Sequence, residues 1–395
     1  MHEACLTRLR AAYRPAQADI RVVRSPYRIC PLGAHVDHQL GRVTGLPLDR
    51  GIALAFAPNG LSLIRLQSLD FPGEVVFSLE DPPPKVDGDW GNYARGAALA
   101  LRQSFPLRAG LDGVIAGELP VGGLSSSAAA GVAYLMALAA VNGLDLSHDD
   151  LIALDQVIEN VTLGLNNGVL DQSVIVSGRR GRLLRVDCLT NERRLLSPPE
   201  GTPPFEILVV HSGVMQSLVA TGYNRRVAEC EEAARSLLAL AGESIPDRPR
   251  LRHVRKTTFE SHGERLPAPL RRRAAHYFSE NDRVAEGVAA WSSGDLGRFG
   301  GLMNASGRSS IDNYECGSPP LIALYEILRD AKGVCGTRFS GAGFRGACVA
   351  LIDPARREEA EAEVRRRYPE RCPEYRDRFS VHACGTDDGA RIMTP

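Results

Sequence analysis

The sequence predicts an α+β fold in two halves. Strand-like and helix-like segments follow one another without the regular alternation of a doubly wound parallel sheet. A Pro-rich stretch, SPPEGTPP at 197–204, reads as a linker and divides the chain into halves of 1–203 and 204–395. A length of 395 residues is enough for two or three domains with real cores.

Each element has a local reason. Residues 19–30 (DIRVVRSPYRIC) begin as a β-branched strand and enter a turn at Pro26. Residues 31–49 hold His35, Asp37 and His38 between Gly33 and Gly41. The apolar run GIALAF (51–56) and the alternating run LSLIRLQ (61–67) read as paired strands. EDPPPKVDGD (80–89) is a loop, 90–104 a helix, and 113–117 a strand leading to GELPVGGLSSSAAAG (117–131). Helices are expected over 127–141 and 148–165. NNGVLDQSVIVSG (166–178) is a loop entering a helix or strand. Short strands at 181–188 and 192–196 make a hairpin. The second half opens with the strand FEILVVHSG (205–213), then a polar loop with Tyr223, Asn224 and Arg226, and a helix over 225–241. Helical patterns cover 266–292, 320–331 and 354–367. TRFSGAGFRGACVALI (337–352) reads strand, glycine loop, strand, and a last strand lies near 379–384.

Hydrophobic content of 44% and charged content of 24% are those of an ordinary globular protein. Formal net charge is zero. Nucleic-acid and anionic-membrane binding rest on excess Lys and Arg, so neither partner is expected. Lysine is confined to Lys85, Lys256 and Lys332, and arginine carries nearly all the positive charge, chiefly a compositional bias. The first residues lack the apolar region of a secretory leader, and the longest apolar stretch, near 128–141, is too short to span a bilayer. Nine scattered cysteines form no CxxC pair, which points away from zinc and disulfide frameworks and toward a reducing cytoplasm.

The most informative stretch is 117–131. Gly122, Gly123, Leu124 and three serines, Ser125, Ser126 and Ser127, lead into an Ala-rich helix. Such a loop offers unpaired amides and a positive helix end to an anion, and its hydroxyls reach a phosphate or a cation. The same residues also make a Ser-rich cap on a buried helix. Gly341-Ala-Gly-Phe-Arg-Gly346 satisfies GxGxxG, yet it runs into a strand where a dinucleotide fingerprint needs a helix, so a tight turn between strands is favoured over a nicotinamide site. No GxxxxGK[ST] occurs, so phosphate binding has to rest on amides, hydroxyls and arginine. Arg28 to Asp37 gathers Arg, His and Asp among glycines. Asp171 serves as a helix cap or as a functional acid.

Taken together, SPYRICPLGAHVDHQLG (25–41), PVGGLSSSAAAG (120–131) and FSGAGFRGAC (339–348) resemble, in order and spacing, the three motifs of the GHMP small-molecule kinases. VLDQS (169–173) is similar to the stretch that carries the catalytic aspartate in the galactokinase branch. GVAYL, HYFSEN, NYECG and RFSGAGFRG narrow the likeness to the members of that branch known from plants that phosphorylate galacturonate. The resemblance covers nearly the whole chain. It implies a ribosomal-S5-like first domain, a ferredoxin-like second domain and an active site in the cleft between them. It further implies transfer of the ATP γ-phosphoryl group, with Mg²⁺, to the anomeric hydroxyl of a sugar acid, in a monomer or a homodimer.

The departures from the family pattern concern specificity. The first motif usually reads GEHTD, with its Glu beside the sugar's 6-hydroxyl; here that position is Ala34. A uronate carries a carboxylate at carbon 6, and two carboxylates about 4 Å apart repel by roughly 4 kcal/mol at an effective dielectric of 20. The third motif usually reads GGGFGGC; Ala342 and Arg345 replace two of its glycines, and Tyr27 stands where Gly usually precedes Arg28. Arg345 is expected to pair with the uronate carboxylate, the alternative being a surface arginine on a turn. By the resemblance, Asp171 is the base at the C1 hydroxyl with Arg28 beside it. Gly122, Gly123, Leu124, Ser125, Ser126 and Ser127 cradle the ATP phosphates, Ser126 or Ser127 approaches Mg²⁺, and His35, Asp37, Tyr223 and Gly343 meet the sugar. Three alternatives stay open: a galactose-phosphorylating enzyme, another kinase of the family, and an inactive ATP and sugar sensor.

Overall fold

The computed structural model describes residues 1–214 and 222–395. In the first half, α1 (His2–Tyr13) and β1 (Arg21–Ile29) are followed by β2 (Arg42–Pro58), β3 (Leu63–Ser68) and β4 (Glu74–Ser78). Next come α2 (Asn92–Arg102), β5 (Leu111–Gly117), α3 (Ser126–Val141), α4 (His148–Val157), α5 (Leu170–Ser177), β6 (Leu183–Asp187) and β7 (Glu192–Leu196). The second half runs β8 (Glu206–His211), α6 (Tyr223–Leu240), α7 (Lys256–His262), α8 (Ala268–Ser292), α9 (Leu296–Asp312) and α10 (Pro319–Asp330). It ends with β9 (Val334–Phe339), β10 (Ala347–Ile352), α11 (Arg357–Arg371), β11 (Ser380–Cys384) and β12 (Arg391–Met393).

Two sheets organise these elements. The larger has the order β12-β1-β2-β5-β3-β4, with the β6–β7 hairpin added through β2; the smaller has the order β11-β8-β10-β9. Residues 197–204 connect them. In β2 the period of two sorts side chains by size: Ile52, Leu54 and Phe56 face the main core, while Ala53, Ala55 and Ala57 face Cys5, Leu6 and Leu9 of α1. The small alanines let α1 close that face. The other face is covered by α3, whose Ala128 to Leu135 are all buried.

Two expectations are corrected, and one helix is added. The strand does not stop at Pro26: β1 continues to Ile29 with a register shift against β2 between Pro26 and Arg28, an irregularity of the kind that re-aims a side chain. Runs 51–56 and 61–67 are both strands but do not pair, because β5 lies between them, antiparallel to β2 and parallel to β3. The structure adds the helix α9 over 296–312, where the glycines of LGRFGGLMNASGRSS argue against one. A Cβ on Gly300 would lie 2.1 Å from the Cys335 carbonyl oxygen, and one on Gly307 would lie 2.5 Å from the Tyr325 ring. Glycine is therefore what lets α9 seat directly on β9 and α10.

Candidate active site

The loop before α3 is built for an anion. Gly122 and Gly123 have φ of +125° and +83°, open to glycine at little cost, and Ser125 at the helix N-cap is held at φ +54°. The third-motif loop between β9 and β10 packs on it backbone to backbone. A Cβ on Gly346 would lie 2.6 Å from the Gly122 carbonyl carbon, and one on Gly123 would lie 2.8 Å from the Ala347 nitrogen. The glycines of Gly341-Ala-Gly-Phe-Arg-Gly346 thus serve the serine loop, in a hairpin and not a dinucleotide fold.

Beside the serine loop lies a charged pair. The end of β1 delivers Arg28, and the first turn of α5 delivers Asp171. The Arg28 Nε–H donates to Asp171 Oδ1 at 2.6 Å, and the Ser125 hydroxyl donates to Asp171 Oδ2. The Arg28 backbone N–H donates to the Leu124 carbonyl at 3.3 Å, and its Nη1 reaches the Gly123 carbonyl at 3.4 Å. Burial opposes the Arg28 charge, but Asp171 outweighs it and holds the guanidinium pKa above its ordinary value.

The first motif forms the next wall. Ala34 is clamped at both backbone groups. Its N–H donates to Glu280 Oε1 at 3.3 Å, and its carbonyl accepts from His276 Nε2 at 2.9 Å. Glu280 also takes the Gly33 N–H at 2.8 Å, the Ser306 hydroxyl at 2.6 Å and Arg283 Nε at 2.7 Å, and Arg338 lies 3.7 Å away. His35, at φ +60°, stacks on Tyr314 with ring centroids 4.1 Å apart. Burial pushes His35 far below the usual histidine range, with His276 adding, so the ring is neutral. Asp37 accepts the Gly168 N–H at 3.1 Å, and burial, then the Asp171 charge, lift its carboxyl to about 6. Tyr223 opens α6 and meets His38 edge-on at 6.1 Å.

One cavity is lined by Arg28, Ala34, His35, Asp37, Gly122, Gly123, Ser125, Ser126, Ser127, Asp171, Tyr223 and Arg345. Leu124 and Gly343 stand just behind it. Leu124 is buried and gives its carbonyl to Arg28, while Gly343 packs where a Cβ would meet Cys316 Sγ at 2.7 Å. Arg345 lies at the serine-loop side of the cavity, its Nη1 3.4 Å from where a Gly122 Cβ would be. Tyr27, unexplained by the sequence, is a residue of the main core and does not line the cavity.

Sequence reasoning missed Glu159, Arg338, Tyr93 and Asn167, which also line the cavity. Glu159 sits in a π-helical turn at the end of α4, a distortion often found at functional positions. Among the polar residues of 155–160 nothing in the sequence marks it. Its Oε2 accepts from Asn167 and the Ser127 hydroxyl bonds to it, yet its Oε1 has no hydrogen-bond partner. Burial, with the Asp171 charge, raises its carboxyl to about 7. No group of three or more His, Cys, Asp or Glu able to hold a metal exists among the described residues. The set present, one under-satisfied buried carboxylate beside the Ser127 hydroxyl in a cavity that Ser126 also lines, suits a magnesium ion that keeps phosphate and water as its other ligands.

The chain matches the GHMP kinases N terminal domain over residues 92–179 and the GHMP kinases C terminal domain over residues 285–370. It is 45% identical to galacturonokinase of Arabidopsis thaliana, across 95% of this chain and 94% of that one. It is 33% identical to galactokinase of Roseiflexus sp., across 94% and 93%. Its structure superposes on that of Lactococcus lactis galactokinase complexed with galactose with a TM-score of 0.89 and 27% identity, covering 98% of both chains.

Proposed function

The chain belongs to the GHMP kinase family, within its galactokinase branch, and on that premise we propose that it transfers the γ-phosphoryl group of ATP to the anomeric hydroxyl of D-galacturonate, giving α-D-galacturonate 1-phosphate and ADP. The observation that carries the choice of a uronate is the wall of the cavity opposite the serine loop. Ala34 presents no acid there, and the buried guanidinium of Arg338 lies beside the same Glu280 that holds the Ala34 amide. Arg338 donates to the oxygens of Ser306, Ser310 and Phe339 and lies 3.7 Å from the Glu280 carboxylate. A carboxylate at carbon 6 would meet the methyl group of Ala34 in place of an acid at that position, while Arg338 and Arg283 offset the charge of Glu280 behind it.

The chemistry then asks for positioning and electrostatics rather than covalent help. Asp171 accepts the proton of the C1 hydroxyl as that oxygen forms its bond to the γ-phosphorus. The bond from the γ-phosphorus to the β–γ bridging oxygen breaks, and ADP leaves. A carboxylate has about four acceptor sites, so its bonds to Arg28 and Ser125 orient Asp171 and leave room for the substrate hydroxyl. Arg28 stabilises the charge on the transferring group. The amides of Gly122 to Ser127 receive the phosphates. Glu159, with Ser126 and Ser127, would hold magnesium, which when bound neutralises phosphate charge. His35, Asp37 and Tyr223 face the sugar hydroxyls. A reducing cytoplasm is the proposed location; all nine cysteines are free, and no helix among the described residues is long and apolar enough to cross a membrane.

ADP release with Mg-ATP, measured side by side on D-galacturonate, D-galactose and D-glucuronate, tests this. Turnover chiefly on galacturonate is expected. Preference for galactose would remove the specificity and keep the mechanism. ATP binding without turnover on any of the three would make the protein a sensor.

A further inference from the structure

The cavity is lined by three guanidinium groups, and they are not equivalent. Arg28 is paired with Asp171. Arg338 is fully enclosed by Ser306, Ser310, the Phe339 carbonyl and the nearby Glu280. Arg345 has no hydrogen-bond or ion-pair partner among the described residues, although it is half buried. Its place is fixed by the hairpin that carries it. Gly346, the next residue, gives its carbonyl to the Ser212 N–H at 2.8 Å and to the Ser212 hydroxyl at 2.7 Å, and it packs against the Gly122 backbone. The Arg345 Nη1 accordingly lies over Gly122, 3.4 Å from where that residue's Cβ would be. The sugar wall at Ala34 is formed by other groups, on the Glu280 side.

The geometry points to Arg345 as a ligand of the nucleotide's phosphate chain, closing over the serine loop from the hairpin side, and not as the partner of the sugar's carboxylate that its sequence position suggested. This rests on the nucleotide-binding part of the function proposed above. An unpaired, partly desolvated guanidinium beside a row of free amides calls for an anion, and its planar fork suits phosphate oxygens. Burial draws the Arg345 pKa below its ordinary value because no carboxylate offsets the desolvation; only Tyr93 acts in the other direction. No lysine lines the cavity, so the role that a P-loop lysine takes elsewhere is open to this arginine.

Calorimetric titration of the full chain with ADP and with adenosine, for wild type, R345A and R345K, tests the assignment, together with KM for ATP and for galacturonate. R345A should weaken ADP about 10- to 100-fold, the worth of a lost hydrogen bond to a charged group. It should leave adenosine within about twofold, raise KM for ATP and leave KM for the sugar unchanged, while R345K, which keeps the charge, recovers part of the ADP affinity. An unchanged melting temperature confirms that the variants fold. Unchanged ADP affinity with a raised KM for galacturonate, and not for galactose, would overturn the inference and return Arg345 to the sugar. A sugar other than galacturonate as best substrate would leave the ADP result intact, so the two failures are distinguishable. Wild-type protein that binds no ADP would overturn both.

Discussion

At the scale of single residues, Asp171 and Ala34 carry the sharpest consequences. Asp171→Asn keeps the shape but removes the charge and the proton acceptor, so kcat should fall about 10²- to 10⁴-fold; it also takes the counter-charge from the buried Arg28, so the melting temperature should drop by about 5 °C. Steady-state ADP release reads the first and calorimetry the second. Ala34→Glu puts a carboxylate at the sugar's carbon 6. A repulsion of up to roughly 4 kcal/mol lowers kcat/KM on galacturonate by up to about a thousandfold, while galactose, with a hydroxyl there, should gain relative to it. Equal effects on the two sugars would show that the side chain acts by bulk alone. These two residues, with Arg28 and the serines, were legible because each lies in a short contiguous string whose local chemistry is distinctive. Glu159 was not, since what marks it is a π turn and an unpartnered oxygen, and neither is written in nearby residues.

At the scale of elements, the sugar wall depends on α8. Glu280 sits on this helix, 246 positions along the chain from the Ala34 amide it accepts, and it draws four further groups to itself. Burial alone would raise its pKa, but Arg283, then His276 and Arg338, pull it down to about 2. A depressed carboxylate stabilises the fold above its unfolded value near 4.5 and loses that contribution as pH falls toward 2. Wild-type unfolding midpoints should therefore drop across that window. Glu280→Gln should flatten the drop and cost about 3–5 kcal/mol at pH 7, since Arg338 and Arg283 lose their buried counter-charge. Urea unfolding at a series of pH values checks both, and a slope identical in the two proteins would refute the linkage. The string HYFSEN (276–281) was visible in the sequence as part of a resemblance, but not as a clamp, because the Ala34 backbone that His276 and Glu280 hold lies more than two hundred residues away. The β9–β10 hairpin was readable by contrast, its glycine turn and flanking strands being local. The pairing of 51–56 with 61–67 failed for the opposite reason. Adjacency in sequence favours a hairpin, and only the later β5 shows that the space between them is taken.

At the scale of the whole molecule, the two-domain GHMP fold is not a simple succession of halves. The chain leaves the first sheet through 197–204 and builds the second, then returns: β12 pairs with β1, and Thr386 bridges Leu48. We propose a domain boundary in 197–204 with the tail beyond 385 belonging to the first half, a crossing that composition could not reveal because a three-residue strand has no periodicity to read. The tail also touches the catalytic frame. The Ala390 N–H donates to the Ile175 carbonyl at 2.7 Å and the Gly389 N–H to Gly178 at 2.9 Å, which ties down the far end of α5, the helix whose first turn holds Asp171. Asp387 anchors the return. Buried, it takes Arg24 at 3.4 Å, Arg180 at 2.7 Å and Arg391 at 3.0 Å. Asp387→Ala strips one counter-charge from Arg24, itself 8% exposed, but leaves it Glu118 at 3.0 Å, so the loss should stay near the low end for a broken buried pair, about 3 kcal/mol, and lower the melting temperature by about 5 °C. Ending the chain after Gly385 removes the β12 ladder as well and should lower it further. Because Asp171 is oriented by Arg28 and Ser125 at the other end of α5, kcat of the Asp387→Ala protein at a temperature where it is folded should fall by less than about tenfold, well short of the loss from removing the base. A kcat loss as deep as that of Asp171→Asn would mean that the tail, and not the pair beside the serine loop, sets the position of the base.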